Sequence, residues 1–241
     1  MSPDPPPLRS AAPQKRILLF ITALVLLLAA FAAVRMAPYL VDGDEYAAVE
    51  SIELRADFRD PALLAAAWGL PVAAVYRSKP FEYQTNPSFC GPASAANLLR
   101  SIGIDLSQDE VIDATKYEPW FGVLLGGMTL DEFADLVQLR SGRPVTIIRQ
   151  ATLPEFRTHL LRANDPERRY VVNFHRGPLF GRGHGHFSPL LGYDAERDLV
   201  LVGDVNREYR PFLVSSERLW EATNTLDSAT GKLRGLLVVG Q

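Results

Sequence analysis

The longest unbroken apolar run of the chain lies near its start. Ile17–Val34 carries no charge, and Thr22 is its single polar residue. At about 1.5 Å per residue this run spans roughly 27 Å, close to the thickness of a bilayer's hydrocarbon core. It predicts one transmembrane helix over residues 17–34. Residues 1–16 before it are rich in proline and alanine and end in Lys15-Arg16, a composition that predicts a disordered tail. Residues 35–50 predict a linker, and residues 51–241 a folded domain.

Inside that domain the periodicity changes near residue 144. Asp60–Gly69 predicts a short helix with Asp60 as cap, Pro61 in the first turn and Gly69 as stop. Gly91–Ile102 carries one apolar face and closes at Gly103. Thr129-Leu-Asp-Glu132 and Thr152-Leu-Pro-Glu155 are capping boxes, each opening an amphipathic helix. Val145–Arg149, Tyr170–His175, His186–Tyr193, Leu199–Asp204, Pro211–Val214 and Gly235–Val239 then predict strands, with a helix at Ser216–Asn224. A helix-rich half followed by a sheet-rich half is an α+β arrangement.

Composition narrows the function. Hydrophobic residues make up 47% of the 241 and charged ones 22%, enough apolar material for a core and too much for disorder throughout. The 25 Lys+Arg against 28 Asp+Glu leave a net charge of −3, which speaks against nucleic acid as a partner. Arg9, Lys15 and Arg16 precede the apolar run, and Asp42, Asp44 and Glu45 follow it. The positive-inside rule then anchors the chain with its domain outside the cytoplasm, on the periplasmic side in a Gram-negative cell. Ala30-Phe31-Ala32 has the small-x-small form of a signal-peptidase site, but the run exceeds a usual signal core, which favours an uncleaved anchor.

One cysteine in the chain excludes an internal disulfide framework and a Cys-rich zinc module. Cys90 falls between a proline-bearing loop and a helix that opens Gly91-Pro92. A thiol at a helix N-terminus feels the positive end of the macrodipole, which favours thiolate. The plain alternative is a small buried hydrophobe. A nucleophilic cysteine needs a base with an orienting partner, and His186 and Asp204 stand at ends of neighbouring predicted strands. Gln84 can join the Cys90 amide as an oxyanion donor. Cys, His and Asp in this order with Gln upstream is the papain-like order. His184 competes with His186 for the role of base, and the pair together suggests a metal site, for which a third ligand is hard to find. Gly181-Arg-Gly-His-Gly185 has the look of a phosphate loop but lacks Lys-Ser/Thr and a following helix.

These stretches resemble the phytochelatin synthases, in particular short bacterial glutathione-hydrolysing members. The resemblance rests on FEYQTNPSFCGPAS around Cys90, GMTLDEFADL at 127–136, GHFSPLLGYDAERD at 185–198, DVNREY at 204–209 and LWEATNTLDSATGKLRG at 219–235. It implies a papain-like fold with Cys90 as nucleophile, His186 as general acid/base, Asp204 as orienting acid and Gln84 in the oxyanion hole. It further implies Asp227 and Arg234, with Arg207 as a weaker case, as contacts to the substrate's γ-glutamyl end. No cofactor and no bound metal are implied. The implied partner is glutathione or a γ-glutamyl peptide, with metal–thiolate complexes of glutathione as a further form. The implied reaction cleaves the Cys–Gly bond of glutathione, with weak transfer to a second glutathione. After Arg207 the chain departs from the family's K-Y-P-P-x-W-V with Glu-Tyr-Arg-Pro-Phe-Leu-Val. A papain-like peptidase acting on exported peptides is the alternative enzyme, and a tethered binding module on an inactive fold the non-enzymatic one.

Overall fold

The computed structural model describes residues 12–40, 56–181 and 183–240. The expected tail before Ala12 and residues 41–55 of the expected linker and domain start lie outside the described residues. The chain divides into two units, Met1–Val41 and Asp42–Gln241.

The first unit is helix α1 (Ala12–Leu40). It extends beyond the apolar run at both ends, so residues 12–16 and 35–40 are helical rather than tail and linker. Pro13 is tolerated in a first turn, and Gln14, Lys15, Arg16, Arg35 and Met36 are good helix formers. The stretch Lys15–Val34 is long and apolar enough to cross a membrane. Leu19, Phe20, Leu27 and Val34 are all exposed, and the apolar residues run round the helix rather than along one face.

Among the described residues of the second unit, three short helices come first, α2 (Ala56–Arg59), α3 (Pro61–Ala67) and α4 (Pro71–Arg77). Helices α5 (Cys90–Ser101), α6 (Gln108–Ile112) and α7 (Leu130–Ser141) follow. Then come β1 (Val145–Ile148), α8 (Leu153–Arg162), β2 (Arg169–His175), α9 (Gly177–Phe180) and β3 (Gly185–Asp194). The unit ends with β4 (Leu199–Val202), β5 (Phe212–Ser215), α10 (Ser216–Thr223) and β6 (Gly235–Val239). Local chemistry sets the starts. Asp60 Oδ1 accepts the amides of Ala62 and Leu63 at 2.9 Å, and both expected capping boxes form at Thr129/Glu132 and Thr152/Glu155. A third box, Ser107/Glu110, opens α6. Helices α2, α4, α6 and α9 were not expected, because four to seven residues are too few for a 3.6-residue period to show.

The strands form one six-stranded sheet in the order β1-β6-β2-β3-β4-β5. Every pairing is antiparallel. Central strand β2 is buried on both faces. Tyr170, Val172 and Phe174 enter one core with side chains of α8 and α10, and Val171 enters the other with α5 and α7. Two-sided burial is why Tyr170–Phe174 lacks polar alternation. Each large apolar side chain so buried stabilises the fold by about 1.5–3 kcal/mol. Helix α5 is fixed to the sheet where Ser94 Oγ donates to the Phe187 carbonyl at 3.0 Å. This places the start of α5 beside the start of β3.

Candidate active site

Cys90 is the first residue of α5, and Phe89 before it offers no side-chain cap. The loop leading in is pinned by an ion pair, Arg100 to Glu82 at 2.9 Å, and nearer Cys90 by neutral side chains. Gln108 accepts the Thr85 amide at 3.0 Å and donates to the Tyr83 carbonyl at 3.0 Å. Asn97 accepts the Glu82 amide at 2.9 Å and donates to the Glu82 carbonyl at 2.7 Å. Gln84 itself bonds by its amide N–H to the Val205 carbonyl at 2.8 Å. Its Nε2 donates to the Asn86 carbonyl at 3.1 Å, and its buried Oε1 has no hydrogen-bond partner.

The imidazole of His186 is buried at the start of β3. Its Nε2 lies 3.0 Å from Asp204 Oδ1, and the Phe174 ring stands edge-on to it at 5.6 Å. Asp204 lies just past the end of β4 rather than in it, because the backbone leaves the ladder at Gly203. An ionised carboxylate only accepts, so Asp204 holds the proton on Nε2 and leaves Nδ1 for the thiol. Burial alone would raise the Cys90 thiol, but the hydrogen bond and charge of His186, helped by Arg176, hold it below the usual thiol range. Burial and the Arg176 charge would lower His186, yet Asp204 and Cys90 raise it above the usual imidazole range. Both shifts run in the direction that favours a thiolate–imidazolium pair.

Arg176 is the site residue that sequence reasoning missed. It is 1% exposed, and its Nη2 grips both oxygens of Asp204 at 2.8 and 2.7 Å. Its guanidinium lies 3.7 Å from the Tyr209 ring centroid. Burial would raise the Asp204 carboxyl, but Arg176 and His186 hold it below its usual range. The local sequence, His175-Arg176-Gly177-Pro178 after a strand, looks like a surface turn.

Arg234 is also nearly buried, at 8% exposure. It lies 4.0 Å from Asp227 Oδ2 and 3.4 Å from Asn173 Oδ1, and its buried Nε has no hydrogen-bond partner. The guanidinium lies so close over Gly185 that a Cβ there would collide with it. Gly183 has φ +105°, and a Cβ there would stand 2.8 Å from Arg176 Cβ. The glycine run before His186 thus admits two arginines to the site. The structure therefore brings together Cys90, His186 and Asp204, with Arg234 and Asp227 paired beside Gly185. Arg207 stands apart, exposed and 5.1 Å from the Tyr83 ring on the loop that carries Gln84. His184 is exposed in the turn before β3.

Residues 72–236, which include all of these positions, match the family model described as phytochelatin synthase. The chain belongs to the phytochelatin synthase family. It is 35% identical over 174 residues to glutathione gamma-glutamylcysteinyltransferase 1 of Triticum aestivum, covering 67% of this chain and 34% of that one. It is 33% identical over 175 residues to glutathione gamma-glutamylcysteinyltransferase 1 of Arabidopsis thaliana, covering 67% and 36%. The chain thus spans about a third of the length of the curated relatives it matches. Among solved structures, a putative C39-like peptidase from Bacillus anthracis is 13% identical with TM-score 0.47, covering 67% of this chain and 94% of that one. The peptidase domain of Streptococcus ComA is 17% identical with TM-score 0.46, covering 66% and 96%. The fold seen here is α+β, with Cys90 at the start of a helix, His186 at the start of a strand of the antiparallel sheet and Asp204 just past the end of the next strand.

Proposed function

We propose that this phytochelatin synthase relative is a cysteine-nucleophile enzyme that cleaves the Cys–Gly bond of glutathione. The observation that carries the reading is the buried Cys90–His186–Asp204 chain, with its 3.0 Å bond from imidazole to carboxylate. The Cys90 thiolate attacks the carbonyl carbon of the Cys–Gly peptide bond. The Cys90 amide and Gln84 Nε2 stabilise the oxyanion. Nδ1–H of the His186 imidazolium protonates the glycine nitrogen as the C–N bond breaks, leaving a γ-glutamylcysteinyl thioester on Cys90. His186 then takes a proton from water, and hydrolysis releases γ-glutamylcysteine. The amine of a second glutathione can replace the water and give the longer peptide.

Arg234 and Asp227 suit the γ-glutamyl end, which carries both an α-carboxylate and an α-ammonium group. Arg234 has a buried, unpartnered Nε to offer the first, and Asp227 a carboxylate for the second. Arg207, at the Gln84 side, is proposed as an outer substrate contact. Helix α1 is proposed as an anchor that holds the domain outside the cytoplasm; protease added to intact spheroplasts should then remove the domain, and full protection would reverse the orientation.

The deciding assay offers the purified full chain glutathione beside Gly-Gly leader-type peptides and measures glycine and peptide products. Glycine release from glutathione with no peptide cleavage supports the reading. The opposite pattern replaces it with a peptidase. Adding a thiophilic divalent cation tests whether metal–thiolate glutathione serves as a substrate of the transfer route.

A further inference from the structure

The segment that enters the domain, α2, lies outside the family match at residues 72–236. Its Phe58 is 1% exposed, so it is a core residue although it belongs to a four-residue turn. The Phe58 ring packs on Phe180 at 5.2 Å and on Phe212 at 6.0 Å, and the Arg218 guanidinium covers it at 4.7 Å. Phe180 packs in turn on Tyr209 at 4.9 Å, and its amide bonds to the Arg176 carbonyl at 2.8 Å. Tyr209 is the platform under the Arg176 guanidinium, which grips both oxygens of Asp204.

We propose that Phe58 is a positioning residue for the reaction: through Phe180 and Tyr209 it holds Arg176 against Asp204, and so fixes the His186 imidazole toward Cys90. This inference rests on the reading of Cys90, His186 and Asp204 as the reacting set. The physical ground is that an interior packed this densely transmits displacement rather than absorbing it. A reacting geometry must also be held within about 0.5 Å by its supporting groups. Arg176 has two supports on this path, the Tyr209 ring and the α9 backbone that ends at Phe180. Phe180 touches both, and Phe180 packs on the Phe58 ring. The N-terminal turn therefore completes the back wall of the active site, and the matched family region alone does not contain that wall. The charged and titratable groups around the path are Arg176, Asp204, His186 and Cys90, with Arg59, Arg207 and Tyr83 on the Asp204 side and Arg218 over Phe58.

The test is iodoacetamide alkylation of Cys90 in the full chain as a function of pH, which needs no substrate. If glutathione were the wrong substrate, this readout would be unaffected. The Arg176 charge favours the Cys90 thiolate, so a loosened Arg176 moves the acid limb of alkylation to higher pH. Phe58→Leu should move that limb up by roughly half a unit, about a threefold loss of rate on the limb. Phe156→Leu removes a ring from the same core away from this path and should leave the limb in place. Phe180→Leu reads the path one ring closer to Arg176 and serves if Phe58→Leu does not fold. An unmoved limb in the Phe58 or Phe180 variant, or an equal shift in Phe156→Leu, overturns the proposal.

Discussion

The two halves of the site are held by different chemistry. On the helical side, the backbone around Cys90 and Gln84 is bonded by the neutral side chains Gln108, Asn97 and Ser94, and the loop's ion pair, Arg100–Glu82 at 2.9 Å, lies at its partly exposed far end. On the sheet side, His186 is placed by buried charge, since Asp204 sits between the imidazole and Arg176. Neutral bonds to backbone fix position and leave protonation alone. A buried ion pair fixes position and protonation together, because each charge shifts its neighbours. Cys90 is therefore positioned by one half of the molecule, and the charges that shift its ionisation come from the other.

The variants that break this comparison differ in size. His186→Ala removes the base and should lower the acylation rate by about 10²–10⁴-fold in single-turnover glycine release. A loss below about tenfold would show that the sheet half does not carry the proton transfer. Arg176→Gln breaks a buried pair and should cost about 3–5 kcal/mol in denaturant unfolding. The sign of its pH effect follows from the charge removed. Arg176 lowers both Cys90 and His186, so its loss moves the acid limb, set by the thiol, and the alkaline limb, set by the imidazole, to higher pH. Limbs that stay in place would separate Arg176 from the ionisation.

Gln108→Leu is the matching test on the helical side. It leaves the Thr85 amide and the Tyr83 carbonyl without their partner and should cost about 1–3 kcal/mol. Its rate should fall with the pH limbs unmoved, and a shifted limb would erase the distinction between the halves. His184→Ala should change acylation by less than about tenfold, since the residue is exposed in the turn before β3. The smallest effect is expected at Asp131, which bonds Lys232 at 2.8 Å and Arg149 at 3.2 Å and ties the segment between Asp227 and Arg234 to α7. Asp131→Asn should cost within about 1 kcal/mol of stability and raise KM more than it lowers kcat. An unchanged KM would detach that segment from substrate binding.

Legibility in the sequence followed the same division. Long periodic segments such as α5, α7, β2 and β3 were readable because an apolar face or run persists over many residues. The boxes at Thr129 and Thr152 fixed two helix starts to the residue. That Cys90, His186 and Asp204 lie near one another was readable from chain order and strand ends, and that Asp227 and Arg234 do so from resemblance rather than pattern. Arg176 was not readable. An arginine after a strand looks solvated, and its burial depends on Asp204 and Tyr209, more than twenty-five residues away in sequence. Gln108 was hidden for a similar reason. In Ser107-Gln-Asp-Glu110 it looks like one more polar helix position, and only the fold turns it toward the Gln84 loop.

The central claim is a covalent route through Cys90, and the most direct measurement is mass spectrometry of the full chain quenched in acid during turnover of glutathione. The account predicts one γ-glutamylcysteinyl unit on the peptide containing Cys90, together with a burst of glycine equal to the adduct, and neither in Cys90→Ser. Glycine release by Cys90→Ser, or an adduct on any other residue, would contradict it.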